Sequence, residues 1–492
     1  MVFTSPLFLF AFLPLFLLLY YPASSRTKIT IILLGSWIFY GFWRIDFLGL
    51  LIGVSVLNWF GGYLLTRNRS WDTGQKESQR KQPISDRLLV SVVVVLNLSI
   101  LGYFKYANFG VQAMNQLLEN LGLSPLGASQ VILPVGISFY IFQAMSYTIV
   151  VYRNDAPAAL SFPRLGAYIA LFPQLIAGPI VRYKDLAHQL SQPHVSPGRT
   201  KRGIRRFIIG FAKKVLIADS LAPMVEGAFQ LSHPALGDAW LGVGAYGVQL
   251  YLDFAAYSDM AIGLGLMLGF RFRENFRMPY HAKSITEFWQ RWHISLSTWL
   301  RDYLYIPLGG NRVSPNRTLL NLFLVMTLGG LWHGAAWNFI LWGMWHGWML
   351  LTERSSPETF STTNAPSFKI LVLQLRTLLV VFVGWALFRA TTLTGALRMI
   401  GGMLGAYGTG GAFLSPAYAW QVDAFSLAML ILGIAYISVE GSTGILSASG
   451  NVPLGKHWSF GLAHRYLPGL LFVLAIMKLL ADNYSPFLYF QF

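Results

Sequence analysis

Apolar runs close to bilayer-crossing length recur along this chain from residue 6 to residue 482, separated by polar stretches rich in Lys and Arg. A spanning helix needs about 20 mostly apolar residues. Such runs lie near residues 6–22, 29–43, 46–66, 88–105, 131–152, 203–221, 239–268, 318–334, 336–352, 369–390, 425–440 and 466–482, some too short or too broken to cross. The pattern predicts an all-α polytopic membrane protein, organised as one domain over residues 1–492, and excludes a water-soluble core. The run Leu7 to Tyr21 lacks a basic region before it, and Ala23 to Ser25 is only a weak cleavage-like sequence, so it reads as a retained first helix.

Composition agrees: 54% of the 492 residues are hydrophobic and 12% charged, with a mean hydropathy of +0.51. The formal charge of +17 is, in such a chain, first an orientation signal rather than a nucleic-acid signal. The polar interruption Arg67 to Arg87, with Arg67, Arg69, Lys76, Arg80, Lys81 and Arg87, is assigned to the cytoplasm, and counting back three helices puts the N-terminus on the periplasmic side. Basic stretches Arg182 to Lys214 and Arg271 to Arg317 belong on the cytoplasmic side too. For that parity to hold, the run 164–180, broken by Pro173, Gly178 and Pro179, must dip in and return, which a membrane tolerates only where protein or a water-filled cavity surrounds the backbone. Ser355 to Ser367 and Asn451 to Lys456 read as short loops. The chain has no cysteine, so disulfides, thiolate catalysis and Cys-ligated metals are excluded.

The segment Ser284 to Gly310 reads as one amphipathic helix stopped by Pro307, Gly309 and Gly310, with Ser284 and Glu287 at capping-box spacing. At 100° per residue, Glu287, Arg291, Ser295, Thr298 and Asp302 fall within about 80° of each other, opposite Trp289, Trp292, Leu296, Trp299 and Tyr303. His293 lies at the edge of the apolar group. As a lone histidine it is open to a structural role, packed and hydrogen-bonded, as well as a chemical one.

His333 lies in a stretch free of Asp, Glu, Lys and Arg from Thr318 to Leu351, and an ionisable group at membrane depth is a functional candidate by default. The Trp-His-Gly triplet recurs at Trp345-His346-Gly347, thirteen residues on, about 220° around a continuous helix, so only one of the two histidines is expected to line a given cavity. A neutral imidazole can take a proton from a hydroxyl at neutral pH; a hydrogen-bonded structural role is the plain alternative. Asp253 and Asp259 occupy another apolar run, where carboxylates are expensive unless paired with Arg, a backbone donor or each other; ion-coupled transport is one reading, and a structural hydrogen bond or a salt link to an Arg of Arg271 to Arg301 is the plain alternative. Among the nine histidines there is no His-x3-His or His-Glu-x-x-His pair, so no metal site is assigned. Phosphate-loop and Gly-x-Ser-x-Gly motifs are absent as well.

Trp289-Gln290-Arg291-Trp292-His293-Ile294-Ser295-Leu296-Ser297-Thr298-Trp299, Leu304-Tyr305-Ile306-Pro307-Leu308-Gly309-Gly310-Asn311 and Gly330-Leu331-Trp332-His333-Gly334 resemble the membrane-bound O-acyltransferase family, in its bacterial polysaccharide branch. Pro134 to Tyr140, Phe172 to Pro179 and the C-terminal Phe487 to Phe492 extend the resemblance over nearly the whole chain. Asp253 to Asp259 departs at Ala256, where relatives often carry Gly. The resemblance implies a bundle of about eleven spans with re-entrant elements around a central tunnel. It implies that His333 is catalytic and His293 the second histidine of the site, with His346 structural, and it sets Trp332, Arg291, Asn311 and Asp253 as candidate substrate-binding residues.

Function follows as an expectation: an O-acyltransferase of the inner membrane that takes acetyl from a cytoplasmic donor, acetyl-CoA, whose phosphates the basic stretch Arg271 to Arg317 would attract. The acetyl group would cross for O-acetylation of an exopolysaccharide such as alginate or cellulose, through a separate extracytoplasmic acetyltransferase partner. No tightly bound cofactor and no nucleic-acid partner are expected. The alternatives are another extracytoplasmic acceptor, as in D-alanylation of teichoic acid, or a non-enzymatic transporter of an acyl or polysaccharide precursor.

Overall fold

The computed structural model of the protein describes residues 1–67, 84–127, 129–360, 366–409, 413–440, 458–482 and 487–488. Most of the Arg67 to Arg87 interruption, the core of the Ser355 to Ser367 loop, the Asn451 to Lys456 loop and the last four residues of the C-terminal motif lie outside them. The described residues are helical with no strand. They fall into two compact units, Met1–Gly203 with Ala261–Arg273, and Ile204–Met260 with Glu274–Phe492.

In the first unit, a π-helical turn Phe8–Phe12 leads into α1 (Leu13–Tyr20), followed by α2 (Ser25–Gly41), α3 (Ile45–Arg67), α4 (Ile84–Asn120), α5 (Ile137–Tyr152), α6 (Phe162–Ile169), α7 (Phe172–Leu175) and α8 (Tyr183–Ser191). Apolar composition alone would let α3, α4 and α5 slide, and three buried polar side chains fix them. Asn58 donates to Asn97 Oδ1 at 3.1 Å, Asn97 donates back at 3.2 Å, and Thr148 Oγ1 donates to Asn58 Oδ1 at 2.8 Å. In a lipid setting such polar contacts do what hydrophobic contrast cannot.

The expected break in the run 164–180 is present: α6 stops at Ile169, α7 is one turn, and the backbone beyond it is irregular. Every residue from Leu165 to Tyr183 is buried. Polar groups within it are partnered inside the protein, as Phe172 N donates to Ser36 Oγ at 3.1 Å and Tyr168 Oη to the Val181 carbonyl at 2.8 Å, the kind of pairing on which non-helical backbone depends at depth. Gly136, at φ +75°, faces this segment so closely that a Cβ would come 2.6 Å from the Leu175 carbonyl oxygen.

The chain passes between the units within α9 (Pro197–Ala212) and again within α11 (Leu236–Met267), with a π-helical turn Lys213–Ala218 and α10 (Ala222–Gln230) between them. The second unit continues through α12 (Ile285–Arg291), α13 (Ile294–Leu300), α14 (Pro315–His333), α15 (Trp337–Ser355), α16 (Pro357–Phe360), α17 (Ser367–Arg389), α18 (Leu393–Met403), α19 (Pro416–Ala419), α20 (Ala424–Val439) and α21 (Trp458–Asp482). α14 and α15 form a tight hairpin because glycines line its seam: a Cβ on Gly330 would meet the Phe339 carbonyl oxygen at 2.2 Å, and one on Gly343 the Met326 carbonyl oxygen at 2.5 Å.

Among the described residues α3, α4 and α17 are long and apolar enough to cross a membrane, and Phe8–Tyr20, α5 and α20 are shorter apolar helices. Large apolar side chains such as Leu18, Ile45, Leu88 and Phe368 stand exposed, a surface suited to lipid and not to water.

Candidate functional site

His333 is the last residue of α14, and Gly334 turns the chain in extended conformation toward α15. That break places His333 and His346 on different helices, which replaces the continuous-helix geometry expected from their spacing. Both rings nonetheless pack on Trp342, each with ring centroids 5.1 Å away.

His293 overturns a second expectation, that Ser284 to Gly310 is a single helix. α12 is capped as the sequence predicts, Ser284 Oγ accepting from Glu287 N at 3.0 Å, but it ends at Arg291. His293 takes left-handed backbone angles, φ 43° and ψ 52°, and α13 starts after it. A β-carbon-bearing residue adopts that conformation at a cost of order 1–2 kcal/mol, so neighbours must hold it. Here Ile294 N donates to the Asn275 carbonyl at 2.9 Å, Arg277 N to the Arg291 carbonyl at 2.9 Å, and Ser295 N and Oγ to Asn275 Oδ1 at 3.2 and 2.9 Å. The helical wheel drawn through His293 therefore fails: Ser295 faces the buried Asn275, not a polar stripe.

The break brings the two histidines together. Their ring centroids are 6.2 Å apart, with Trp332 at 6.1 Å from His293 and 5.0 Å from His333. Phe254 of α11 packs edge-on to His293 at 4.7 Å, and Phe388 of α17 on His333 at 5.2 Å. His293 is fully buried and His333 is 5% exposed. His293 lies outside the apolar runs of spanning length, and burial pushes its imidazole down, to about 3, so the ring is neutral at neutral pH. Beside His333, a space of about 10 Å³ is lined by Leu250, Phe254, Trp292, Trp342, Trp385 and Phe388, room for roughly one water. His346 does not border it. Such an arrangement can hold a neutral imidazole dry and oriented, which is what proton abstraction from a hydroxyl requires.

The other residues singled out from the sequence go to different places. Arg291 is half-buried, bonded to Glu287 at 2.5 Å and to the Met278 carbonyl at 3.3 Å. Asn311 is exposed and accepts from Tyr305 Oη at 2.5 Å. Asp253 is buried one residue from Phe254; a backbone donor, one of its expected partners, is present, while the salt link to an Arg of Arg271 to Arg301 is replaced by a lysine. It pairs with Lys214 at 2.7 Å and accepts from Leu488 N at 3.1 Å. Asp259 pairs with Lys213 and, at 2.7 Å, with Arg206; neither carboxylate uses an Arg of Arg271 to Arg301. A structural charge network thus replaces the ion-transport motif they could have been.

Sequence reasoning missed Asn275 and the aromatic walls Phe254, Trp342, Trp385 and Phe388. Asn275 carries no motif of its own. Four scattered aromatics in a chain that is 15% aromatic give no signal until tertiary packing gathers them. Among the described residues no group of three or more His, Asp or Glu side chains is placed to hold a metal.

Residues 93–391 match the model of the MBOAT, membrane-bound O-acyltransferase, family. The chain belongs to this family, and it is an acyltransferase of the membrane. Two similar proteins are named probable alginate O-acetylase AlgI: that of Azotobacter vinelandii is 46% identical over 517 residues, and that of Pseudomonas putida 46% over 509, each alignment covering all of both chains. A peptidoglycan O-acetyltransferase of Helicobacter pylori is 32% identical over all of this chain and 98% of its own.

Proposed function

We propose that this protein O-acetylates an extracytoplasmic polysaccharide of the alginate type, taking acetyl from acetyl-CoA on the cytoplasmic side of the inner membrane. The observation that carries the reading is the pair of buried imidazoles, His293 and His333, 6.2 Å apart within the family-matched region. His333 acts as the general base. Its neutral ring takes the proton of the accepting hydroxyl as the oxygen attacks the thioester carbonyl, and the proton then passes to the departing thiolate, so that ester and free thiol are the products. His293, kept neutral by burial, orients the acceptor or donates to the oxyanion that forms on the carbonyl. Trp332, 6.1 Å from His293 and 5.0 Å from His333, shapes the acyl position, and Asp253, beside Phe254 in the chain, serves in substrate binding. Arg291 and Asn311 serve donor or acceptor outside the imidazole pair.

The same reading gives the chain about eleven spans with re-entrant elements around a tunnel and a periplasmic N-terminus. A separate extracytoplasmic acetyltransferase receives the group and places it on the polymer. Full-length identity of 46% to proteins named as alginate O-acetylases favours that acceptor class over peptidoglycan, whose named transferase is 32% identical. Teichoic acid D-alanyltransferase of Bacillus subtilis, 29% identical over 43% of this chain, is further off.

The test follows labelled acetyl from acetyl-CoA into polymer or partner protein in membranes holding this chain at equal expression as wild type, His333→Ala and His346→Ala. Loss of label in His333→Ala alone supports the assignment. Label transferred by His333→Ala as well as by wild type ends it.

A further inference from the structure

A cleft of about 970 Å³ in the first unit lies where α2, α6, α8 and α9 meet the loop at Gly269, at the upper end of the volume range of small-molecule sites. Arg26, Arg164, Arg199, Arg271, His188 and His194 line it, and no Asp or Glu among the described residues does. Four guanidiniums around one concavity repel each other unless an anion joins them. Among the described residues no carboxylate lining the cleft takes that part. Arg26, Arg164 and Arg271 make no side-chain ion pair among the described residues, and Asp185, the acid of α8, is already engaged by Arg182 at 2.9 Å and Arg273 at 2.8 Å. Arg199, near the start of α9, is held below its ordinary value by partial burial and by the neighbouring charges of Arg271 and Arg202.

The walls are built rather than incidental. Arg199 Nη1 donates to the His194 carbonyl at 3.0 Å, Arg271 N donates to Gln189 Oε1 at 2.7 Å, and Gly269, at φ +89°, lies so close that a Cβ would come 2.9 Å from the His194 backbone. Four guanidiniums lining a cleft whose backbone is held in place, beside an apolar side given by Ile29 and Pro163, match a phosphate group carried on a larger body, because the planar donors of Arg bind phosphate oxygens in pairs.

We infer that this arginine-lined cleft of the first unit is a binding site for a phosphate-bearing ligand, either the headgroup of an anionic phospholipid or the phosphates of a soluble nucleotide-type molecule. The inference concerns binding alone and stands apart from the acyl-transfer reading, since its test measures no acetyl transfer.

The experiment uses the full chain in nanodiscs of phosphatidylcholine, with two probes: adenosine 3′,5′-bisphosphate added in solution, and phosphatidylglycerol added to the bilayer and followed by native mass spectrometry. The variant is Arg26→Gln/Arg164→Gln/Arg271→Gln, whose side chains hold no intramolecular ion pair, so its fold is spared. Arg354→Gln, an exposed arginine elsewhere, is the control. Wild type and control should bind at least one probe, and the triple variant should bind it at least about tenfold more weakly, with added salt reducing the difference. Loss for the bisphosphate assigns a soluble ligand, and loss for phosphatidylglycerol a lipid headgroup. Single variants Arg26→Gln and Arg271→Gln, each expected to weaken binding about two- to fivefold, carry the test if the triple variant unfolds. Wild type binding neither probe, or wild type and the variants binding both equally, overturns the inference.

Discussion

Two buried polar assemblies of the second unit meet the same physical problem in opposite ways. Along α11, Asp253 and Asp259 are neutralised in place by Lys214, Lys213 and Arg206, with Glu274 adding a second carboxylate to Arg206 at 2.5 Å. Around His293 and His333 the neighbours are aromatic rings, with the Asn275 clamp holding the backbone beside His293. Full charges out of water survive only when paired, whereas a neutral imidazole can be buried among aromatics and keep its lone pair for chemistry. The contrast teaches which buried polar group to suspect of function: a neutral imidazole walled by aromatics, not the group most heavily charged.

The sharpest way to break this contrast is at His333. His333→Ala should lower acetyl transfer by about 10²–10⁴-fold, the usual contribution of a general base, while the protein still accumulates and elutes as wild type; labelled acetyl transfer at equal expression measures it. The charged assembly should respond in stability instead. Asp259→Asn strips Lys213 of its carboxylate, and loss of one partner of a buried pair costs about 3–5 kcal/mol, visible as a drop in unfolding temperature in detergent; Lys213→Met added to it should restore part of the loss. If Asp259→Asn left stability intact and abolished transfer alone, the division between the two assemblies would collapse.

Smaller effects sharpen the boundary. Gly330→Ala drives a methyl into the Phe339 carbonyl and separates α14 from α15, an overpacking cost of about 1–3 kcal/mol; reduced thermal stability with a further fall in transfer is expected, since His333 is three residues away. Asn275→Ala removes the acceptor that holds Ser295, worth about 1–3 kcal/mol for a buried donor left unsatisfied. It should lower kcat more than it raises KM, with Asn275→Asp recovering part of kcat. The mildest change is His346→Phe. Neither ring nitrogen of His346 has a hydrogen-bond partner among the described residues, and an aromatic of similar size should keep activity within about twofold of wild type and stability within about 1 kcal/mol.

Much of this could be read from residue order, because in a membrane the pattern and the fold share one cause. Runs near 46–66, 369–390 and 425–440 appear as helices within a residue or two of their expected ends, since apolar length is itself the physical requirement. His333 stood out for a similar reason: an ionisable side chain in a long uncharged stretch is visible without any structure. The Ser284 cap and the breaks around Pro173 were legible as local backbone chemistry.

What the residue order could not decide is everything that depends on which distant side chains meet. The turn at His293 was invisible because left-handed angles at a non-glycine residue are imposed from outside, here by Asn275 eighteen positions earlier in the chain. The salt-link partners of Asp253 and Asp259 were open in the sequence, and it was the fold that brought up Lys213, Lys214 and Arg206 from the stretch before them rather than an Arg of Arg271 to Arg301. The sequence by itself determined a helical membrane protein, since composition and hydrophobic length suffice for that, and its motifs carried the resemblance to a family of O-acyltransferases. Tertiary structure alone decided that His293 stands 6.2 Å from His333 while His346 lies outside their cage, because that choice rests on a helix break and a glycine-lined hairpin whose geometry exists only once the chain has packed.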